Sequence, residues 1–281
     1  MNNKSSSEII QSLVLKAKKA QSIFENYNQN QVDEVITAVA WTLCKPSNNK
    51  KISNLAVSET GLGNPEDKIL KNRRKTLGLL RDLKNIKTVG VINENKEKGI
   101  IEIAKPVGVV AAVTPSTNPA ATPINNIINA LKGRNSIIVS PSPAGSKVFK
   151  DLLILINNEL KKIGAPKDLI QTFDCDVTKE LTNELMKNVD LVIVTGSLNN
   201  VREAAKSGTK AIGVGQGNVT SIVDETADLE DAFKKIKMSK TFDNATSCSS
   251  ENNLILIEDI YEKAINVLSK ENAVLLNKNQ K

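Results

Sequence analysis

The chain has 281 residues, of which 40% are hydrophobic, 25% charged and only 3% aromatic, with a net charge of +7. Those proportions describe a globular chain whose core is built from Ile, Leu, Val and Ala, with enough material for one large domain or two ordinary ones. They exclude a membrane span, since no run approaches ~18 consecutive apolar residues, and, with no histidine and three distant cysteines, a His-based metal site, a Cys-His dyad or a disulfide framework. No metal is expected.

The lysines are scattered along helical segments without aromatic interleaving and with few arginines, so the basic balance reads as a solvated surface and not as a nucleic-acid interface. The N-terminus Met1-Asn-Asn-Lys-Ser-Ser-Ser lacks the apolar core of a secretion signal, which makes a cytoplasmic location the expectation, without membrane association.

Residues 8 to 84 read as helical. Ile10, Leu13, Ala17, Ala20 and Phe24 recur at steps of three and four, and Val32, Val35, Ile36, Val39 and Leu43 repeat the pattern after Asn30. Gly61 and Gly63 end the helix before Asn64-Pro65-Glu66-Asp67, a helix start with a capping Asn, Pro in the first turn and acids at the positive end of the dipole. Ile69, Leu77, Leu80 and Leu83 are the expected apolar residues of that next helix.

From Val89 the texture turns β-prone. Val89 to Ile92 and Ile100 to Ala104, separated by the charged tip Asn93 to Gly99, predict a hairpin. Five apolar runs follow, Val109–Val113, Ser136–Ser140, Leu169–Phe173, Leu191–Thr195 and Ala211–Val214, separated by segments of helical period. Continuous apolar strands alternating with helices predict a parallel sheet covered on both faces, a doubly wound α/β nucleotide-binding domain.

The glycines of Gly213-Val-Gly215-Gln-Gly217-Asn218 do not have G-x-G-x-x-G spacing, and a strand, Val219 to Val223, is expected after them. Thr195-Gly196-Ser197 is the better candidate for phosphate contact, because it lies at a strand's C-terminal end just before the helical stretch Leu198 to Ser207, where free N–H groups favour an anion. An ordinary strand-to-helix turn would have the same sequence.

Near the end comes Lys240-Thr-Phe-Asp-Asn-Ala-Thr-Ser-Cys248-Ser-Ser-Glu251. A thiol is a useful nucleophile only as thiolate, with access and local donors. A lone cysteine is more often a small buried hydrophobe, but such a cysteine lies in an apolar run, as Cys44 does after Ala40-Trp41-Thr42-Leu43. Cys248 has no apolar neighbour closer than Ala245, and Ser247, Ser249 and Ser250 leave room for a ligand. Beyond it a strand, Asn253 to Glu258, and a helix, Tyr261 to Leu276, are expected.

The series Glu59-Thr-Gly-Leu-Gly-x-x-Glu66-Asp-Lys, Pro106-Val-Gly-Val, Pro115-Ser-Thr-Asn118-Pro, Ala211-Ile-Gly-Val-Gly-x-Gly-Asn218, Asp224-Glu-Thr-Ala-Asp228 and Ser239-Lys-Thr-Phe-Asp-Asn244 resembles the CoA-acylating branch of the aldehyde dehydrogenase superfamily. The resemblance runs from about residue 10 to the end, in the same order. It implies an oxidoreductase that uses NAD, or alternatively NADP, to interconvert an aldehyde plus coenzyme A with an acyl-CoA. By position, Cys248 matches the nucleophile and Asn118 the amide that, with the Cys248 N–H, stabilises the oxyanion. Ser140 and Pro141 resemble the adenosine-side contact of the cofactor, Thr195, Gly196 and Ser197 the pyrophosphate side, and Gly215 is carried with them as a cofactor contact.

The resemblance also implies an aldehyde dehydrogenase-like arrangement: an NAD(P)-binding domain over residues 1–238, with N-terminal helices and an oligomerisation hairpin, then the start of a second α/β catalytic domain over 239–281. A homo-oligomer is expected from the hairpin. Departures are informative. Ser140-Pro-Ser142-Pro143 stands where related enzymes often carry Ser-Pro-His-Pro, and no carboxylate occupies Gly213-Val214, where the hydrolytic branch places its water-activating glutamate. CoA is therefore the expected acceptor. In the family much of the catalytic domain follows the nucleophile, whereas 33 of the 281 residues follow Cys248, and the family's Gly-Pro cofactor contact is missing. The expectation is a C-terminally truncated chain with little turnover of its own; an inactive nucleotide-binding remnant or one part of a split enzyme is the alternative.

Overall fold

The computed structural model describes residues 5–280. Two compact units divide the chain between Gly215 and Gln216.

The first unit opens with four helices, α1 (Ser6–Phe24), α2 (Gln29–Cys44), α3 (Pro46–Thr60) and α4 (Pro65–Leu83). Ser5 with Glu8 and Asn28 with Gln31 form reciprocal capping boxes that satisfy first-turn N–H groups of α1 and α2. Gly61, at φ 66°, ends α3 in the left-handed conformation that glycine adopts without steric cost. The predicted periodicity holds for α1 and α2, whose buried residues include every apolar position named above.

It does not hold for α4. The buried face of α4 is Lys68, Lys71, Asn72 and Thr76, and Leu77 is exposed while Leu80 and Leu83 are only partly covered. The reason is a polar contact layer between α3 and α4. Asn72 Nδ2 donates to Asn49 Oδ1 (3.0 Å) and Ser53 Oγ (3.1 Å), and Asn49 Nδ2 donates to the Ile69 carbonyl (2.9 Å). Buried amides need such partners, and their mutual satisfaction fixes the rotation of α4.

β1 (Gly90–Asn95) and β2 (Ile100–Ala104) form the predicted antiparallel hairpin, with Ile101 and Ile103 exposed. Then follow β3 (Val109–Thr114), α5 (Ala121–Lys132), β4 (Ser136–Pro141), α6 (Ser146–Lys162), β5 (Ile170–Gln171), α7 (Lys179–Lys187), β6 (Leu191–Thr195), α8 (Leu198–Lys206) and β7 (Ala211–Val214). The five strands make one parallel sheet in the order β5-β4-β3-β6-β7. Successive residues of β3 alternate faces: Val110 and Ala112 join the core under α2, α5 and α6, and Val109, Ala111 and Val113 join the core under α1 and α7. Burial on both faces explains why β3 reads as an unbroken apolar run. Each fully buried Val, Leu or Ile contributes about 1.5–3 kcal/mol relative to exposure.

The strand order reverses between β3 and β6, so this is the switch point of a doubly wound sheet, and loops leaving the carboxyl ends of these strands frame the crevice used for ligands in such folds. The amino ends of the same two strands are clamped together. Val109 N–H donates to Asp190 Oδ2 at 2.7 Å, and at Gly108 (φ 122°) a Cβ would lie 2.3 Å from that oxygen.

The second unit contains β8 (Val219–Val223), α9 (Leu229–Thr241), β9 (Glu251–Leu256) and α10 (Tyr261–Lys270). β8 and β9 pair in parallel over a small core of Val223, Phe233, Ile260 and Ala264. Residues 219–238 thus share a sheet and core with residues after 250, and the division in packing lies at 215/216 and not at 238/239. The last strand starts two residues before the predicted Asn253. The last helix stops at Lys270 instead of Leu276, because Asn272 turns left-handed (φ 65°) and the Ala273 and Asn272 N–H groups donate back to the Leu268 and Ser269 carbonyls, a Schellman termination. Among the described residues, no helix is long and apolar enough to cross a membrane.

Candidate active site

Three predicted segments of the first unit converge on the carboxyl edge of the sheet. Val113 is in register with both Ser140 on β4 and Val194 on β6, so the ends of the three strands are level. Asn118 lies in the turn after β3 and is 9% exposed, and its side-chain amide has no hydrogen-bond partner among the described residues. A donor that is nearly buried and unmatched by the protein is available to a ligand oxygen. Lys68 Nζ donates to the carbonyl of Thr117, the preceding residue, at 3.4 Å.

After β6, the Gly196 N–H donates to the Val214 carbonyl (3.2 Å) and the Ser197 hydroxyl caps α8 by accepting from the Asn200 N–H (3.3 Å). The N–H groups of Leu198 and Asn199 have no carbonyl earlier in the helix to bond, so the first turn of α8 retains two donors beside the switch point. That donor set fits a pyrophosphate. The backbone runs close to α8 here: a Cβ at Gly213 would lie 2.6 Å from Val201 Cγ1, so that side chain would have to shift, and one at Gly215 would press on Leu198 Cδ2 at 3.3 Å.

The Ser140 side chain is held within the fold. It is 1% exposed, and its hydroxyl is 2.9 Å from Thr182 Oγ1, which itself donates to the Thr178 carbonyl. The Ser140 hydroxyl therefore donates into the fold, tying β4 to α7. Pro141 is also buried. Neither side chain presents a polar group to a ligand in this conformation.

In the second unit, Cys248 is exposed. Its loop is built by unusual backbone. Asp243, Asn244 and Ala245 all have φ between 52° and 60°, the left-handed region that Asp and Asn tolerate and Ala does not favour. Asp243 is fully buried, and Thr246 Oγ1 donates to its carboxylate (2.7 Å). Ser250 is 3% exposed, with its hydroxyl donating to the Ser247 carbonyl (2.8 Å), so only Ser247 and Ser249, whose hydroxyls pair at 2.9 Å, remain near the surface. A Cβ at Gly217 would lie 2.3 Å from the Cys248 carbonyl oxygen, so the segment leading to β8 is packed directly on the cysteine's backbone.

Cys175 is exposed too, on a turn flanked by Asp174 and Asp176. Cys44 is half-buried; burial raises its thiol pKa, and Arg73 offsets this in part. Sequence reasoning missed Lys68, Gly217 and the left-handed turn. The alternate glycines were visible, but their partners were not.

The family model for the aldehyde dehydrogenase family matches residues 2–279. The chain belongs to the aldehyde dehydrogenase family. Within it, the chain is similar to acylating members: it is 51% identical over 274 residues to the acylating sulfoacetaldehyde dehydrogenase of Cupriavidus necator, covering 98% of this chain and 56% of that protein. It is 42% identical over 256 residues to the acetylating succinate-semialdehyde dehydrogenase of Clostridium kluyveri, covering 91% of this chain and 56% of the relative. Among solved structures, it resembles the propionaldehyde dehydrogenase of Rhodopseudomonas palustris with bound CoA and an acylated cysteine, at a TM-score of 0.86 and 31% identity, over 98% of this chain and 63% of the other. This aldehyde dehydrogenase chain thus spans about half the length of the curated relatives it matches.

Proposed function

We propose that the chain carries the nucleophile and the cofactor-facing surfaces of a CoA-acylating aldehyde dehydrogenase, interconverting a small aldehyde and CoA with an acyl-CoA. The observation that carries this is the exposed Cys248 on a loop whose backbone is fixed by Gly217 and by the buried Asp243. In the proposed reaction the Cys248 thiolate adds to the aldehyde carbon and the Cys248 N–H stabilises the resulting oxyanion, a role that the resemblance to the family also gives the Asn118 amide. NAD or NADP, held at Thr195-Gly196-Ser197 and Gly215, supplies the two-electron acceptor when bound. Collapse leaves a thioester on Sγ, which the CoA thiol cleaves.

CoA rather than water as acceptor is supported by the residues at Gly213 and Val214, which offer no carboxylate to activate water. Without a placed base, hydrolysis forgoes roughly 10²- to 10⁴-fold of rate. A small anionic aldehyde as substrate is supported by the names of the two relatives and by the paired hydroxyls of Ser247 and Ser249. Assembly as a homo-oligomer is supported by the exposed Ile101 and Ile103 of the β1–β2 hairpin.

The test is acyl transfer from propionyl-CoA or succinyl-CoA to the purified chain, followed by intact mass and peptide mapping. A single acyl adduct on Cys248, absent from C248A and released by free CoA, is expected; an unmodified chain, or an adduct on Cys175, refutes the reading. NAD(P)H formation with aldehyde and CoA then measures how much of the full cycle this chain performs.

A further inference from the structure

We infer that Lys68 is a positioning residue for Asn118, holding the 115–119 turn at the height the oxyanion donor requires; this rests on the reading of Asn118 given above. A lysine with 2% exposure is unusual, because an ammonium leaves water only where carbonyls or carboxylates replace its hydration. One of the groups that does so is the Thr117 carbonyl, 3.4 Å from Nζ and one peptide away from Asn118. The contact joins parts of the chain 49 residues apart, and no helix or strand hydrogen bond otherwise orders residues 115–119 as part of the sheet.

The anchor of Lys68 is itself built for rigidity. Asn64 caps α4, with its side chain accepting from the Asp67 N–H at 2.9 Å, so the helix begins at a defined residue just before Lys68. One turn later the Asn49–Ser53–Asn72 hydrogen bonds lock α4 against α3. Both ends of the first two turns are thus fixed, and Nζ is delivered to Thr117 from a rigid base. The carbonyl it holds shares a peptide plane with the Asn118 N–H, so pulling on Thr117 O sets the direction in which the Asn118 side chain leaves the turn. The polar face of α4, contrary to the apolar face that the leucines predict, is the sequence's provision for this.

The experiment compares wild type, K68M, K68R, N118A and the K68M/N118A double variant by hydrogen exchange and by the rate of Cys248 acylation from acyl-CoA. K68M is expected to speed exchange over residues 115–120 while α3 and α4 keep wild-type protection. It should lower the acylation rate roughly 10- to 100-fold, the scale of an ~1 Å misplacement, with the acyl-CoA concentration dependence unchanged. K68R should restore part of the rate. The double variant should be no slower than N118A alone, because Lys68 acts through Asn118. Unchanged exchange at 115–120, protection lost throughout α3 and α4, or additive losses in the double variant would each overturn the inference. If K68M does not fold, K68Q is put through the same measurements. Should wild type show no acylation, the functional reading fails, and the exchange map alone decides whether Lys68 holds the turn.

Discussion

Replacing Gly217 by alanine tests how firmly the cysteine loop is held. The added Cβ would stand 2.3 Å from the Cys248 carbonyl oxygen, about 0.7 Å inside the 3.0 Å that real Cβ contacts respect. The obstacle is backbone, so no side-chain rotation relieves it, and either β8 or the Cys248 peptide must move by most of that distance. Such overpacking costs about 1–3 kcal/mol. A reacting group displaced by nearly 1 Å loses on the order of 10²-fold in rate. G217A should therefore acylate Cys248 from acyl-CoA about 100-fold more slowly by intact mass while alkylation of Cys175 stays at the wild-type rate. The control is G78A, on α4, where an added Cβ meets nothing within 4 Å. It should leave acylation intact and stabilise the chain by ~0.5–1 kcal/mol, the usual gain of alanine over glycine within a helix. Wild-type acylation in G217A would show that the loop accommodates a methyl group and that the carbonyl contact positions nothing.

Limiting iodoacetamide should mark the exposed Cys248 before Cys44, whose thiol burial raises above its ordinary value; Cys44 should react only as pH climbs past that value, and early labelling of Cys44 in peptide maps would contradict the packing described. N72L removes the donor shared by Asn49 and Ser53 and should destabilise the chain by ~1–3 kcal/mol in urea titration; no change would mean that water replaces it. A245G relieves a left-handed alanine at φ 60° and should stabilise the chain by about 1 kcal/mol in the same assay, and a loss of stability would count against strain at that residue. Aspartate at Ile101 and Ile103 should shift the mass measured by light scattering toward the monomer, whereas an unchanged mass would remove the hairpin from the assembly.

The parallel sheet was legible because strands buried on both faces leave a signal that polar residues cannot imitate: Val109–Val113 and Ser136–Ser140 lie where their apolar runs predicted. Helices α1 and α2 were legible through apolar residues at steps of three and four, which are the residues their buried faces carry. The buried face of α4 was not, because Lys68, Lys71 and Asn72 are residues whose default place is the surface, and it takes three-dimensional partners, Asn49 and Ser53 for Asn72 and the Thr117 carbonyl for Lys68, to reverse that default. Of the proposed functional residues, Cys248 was named for its polar surroundings and Asn118 through resemblance. Ser140 was named for a ligand contact, yet a lone serine at a strand end does not reveal that Thr182 faces it. The division at Gly215/Gln216 was hidden because it depends on the pairing of β8 with β9, a partner more than 25 residues distant.

The clamp between Gly108, Val109 and Asp190 has a consequence for synthesis. β3 can pair with β4 as soon as residues up to Pro141 have emerged, but its other neighbour, β6, begins at Leu191. At roughly 5–20 residues per second, the interval between the two is about 3–10 s. Throughout that time the Val110–Val113 edge, which is destined for the middle of the sheet, is an open apolar edge on a growing chain. The edge closes only when β6 follows Asp190 out, so that Val110–Val113 pair with Leu191–Val194 and the Asp190 carboxylate takes up the Val109 amide.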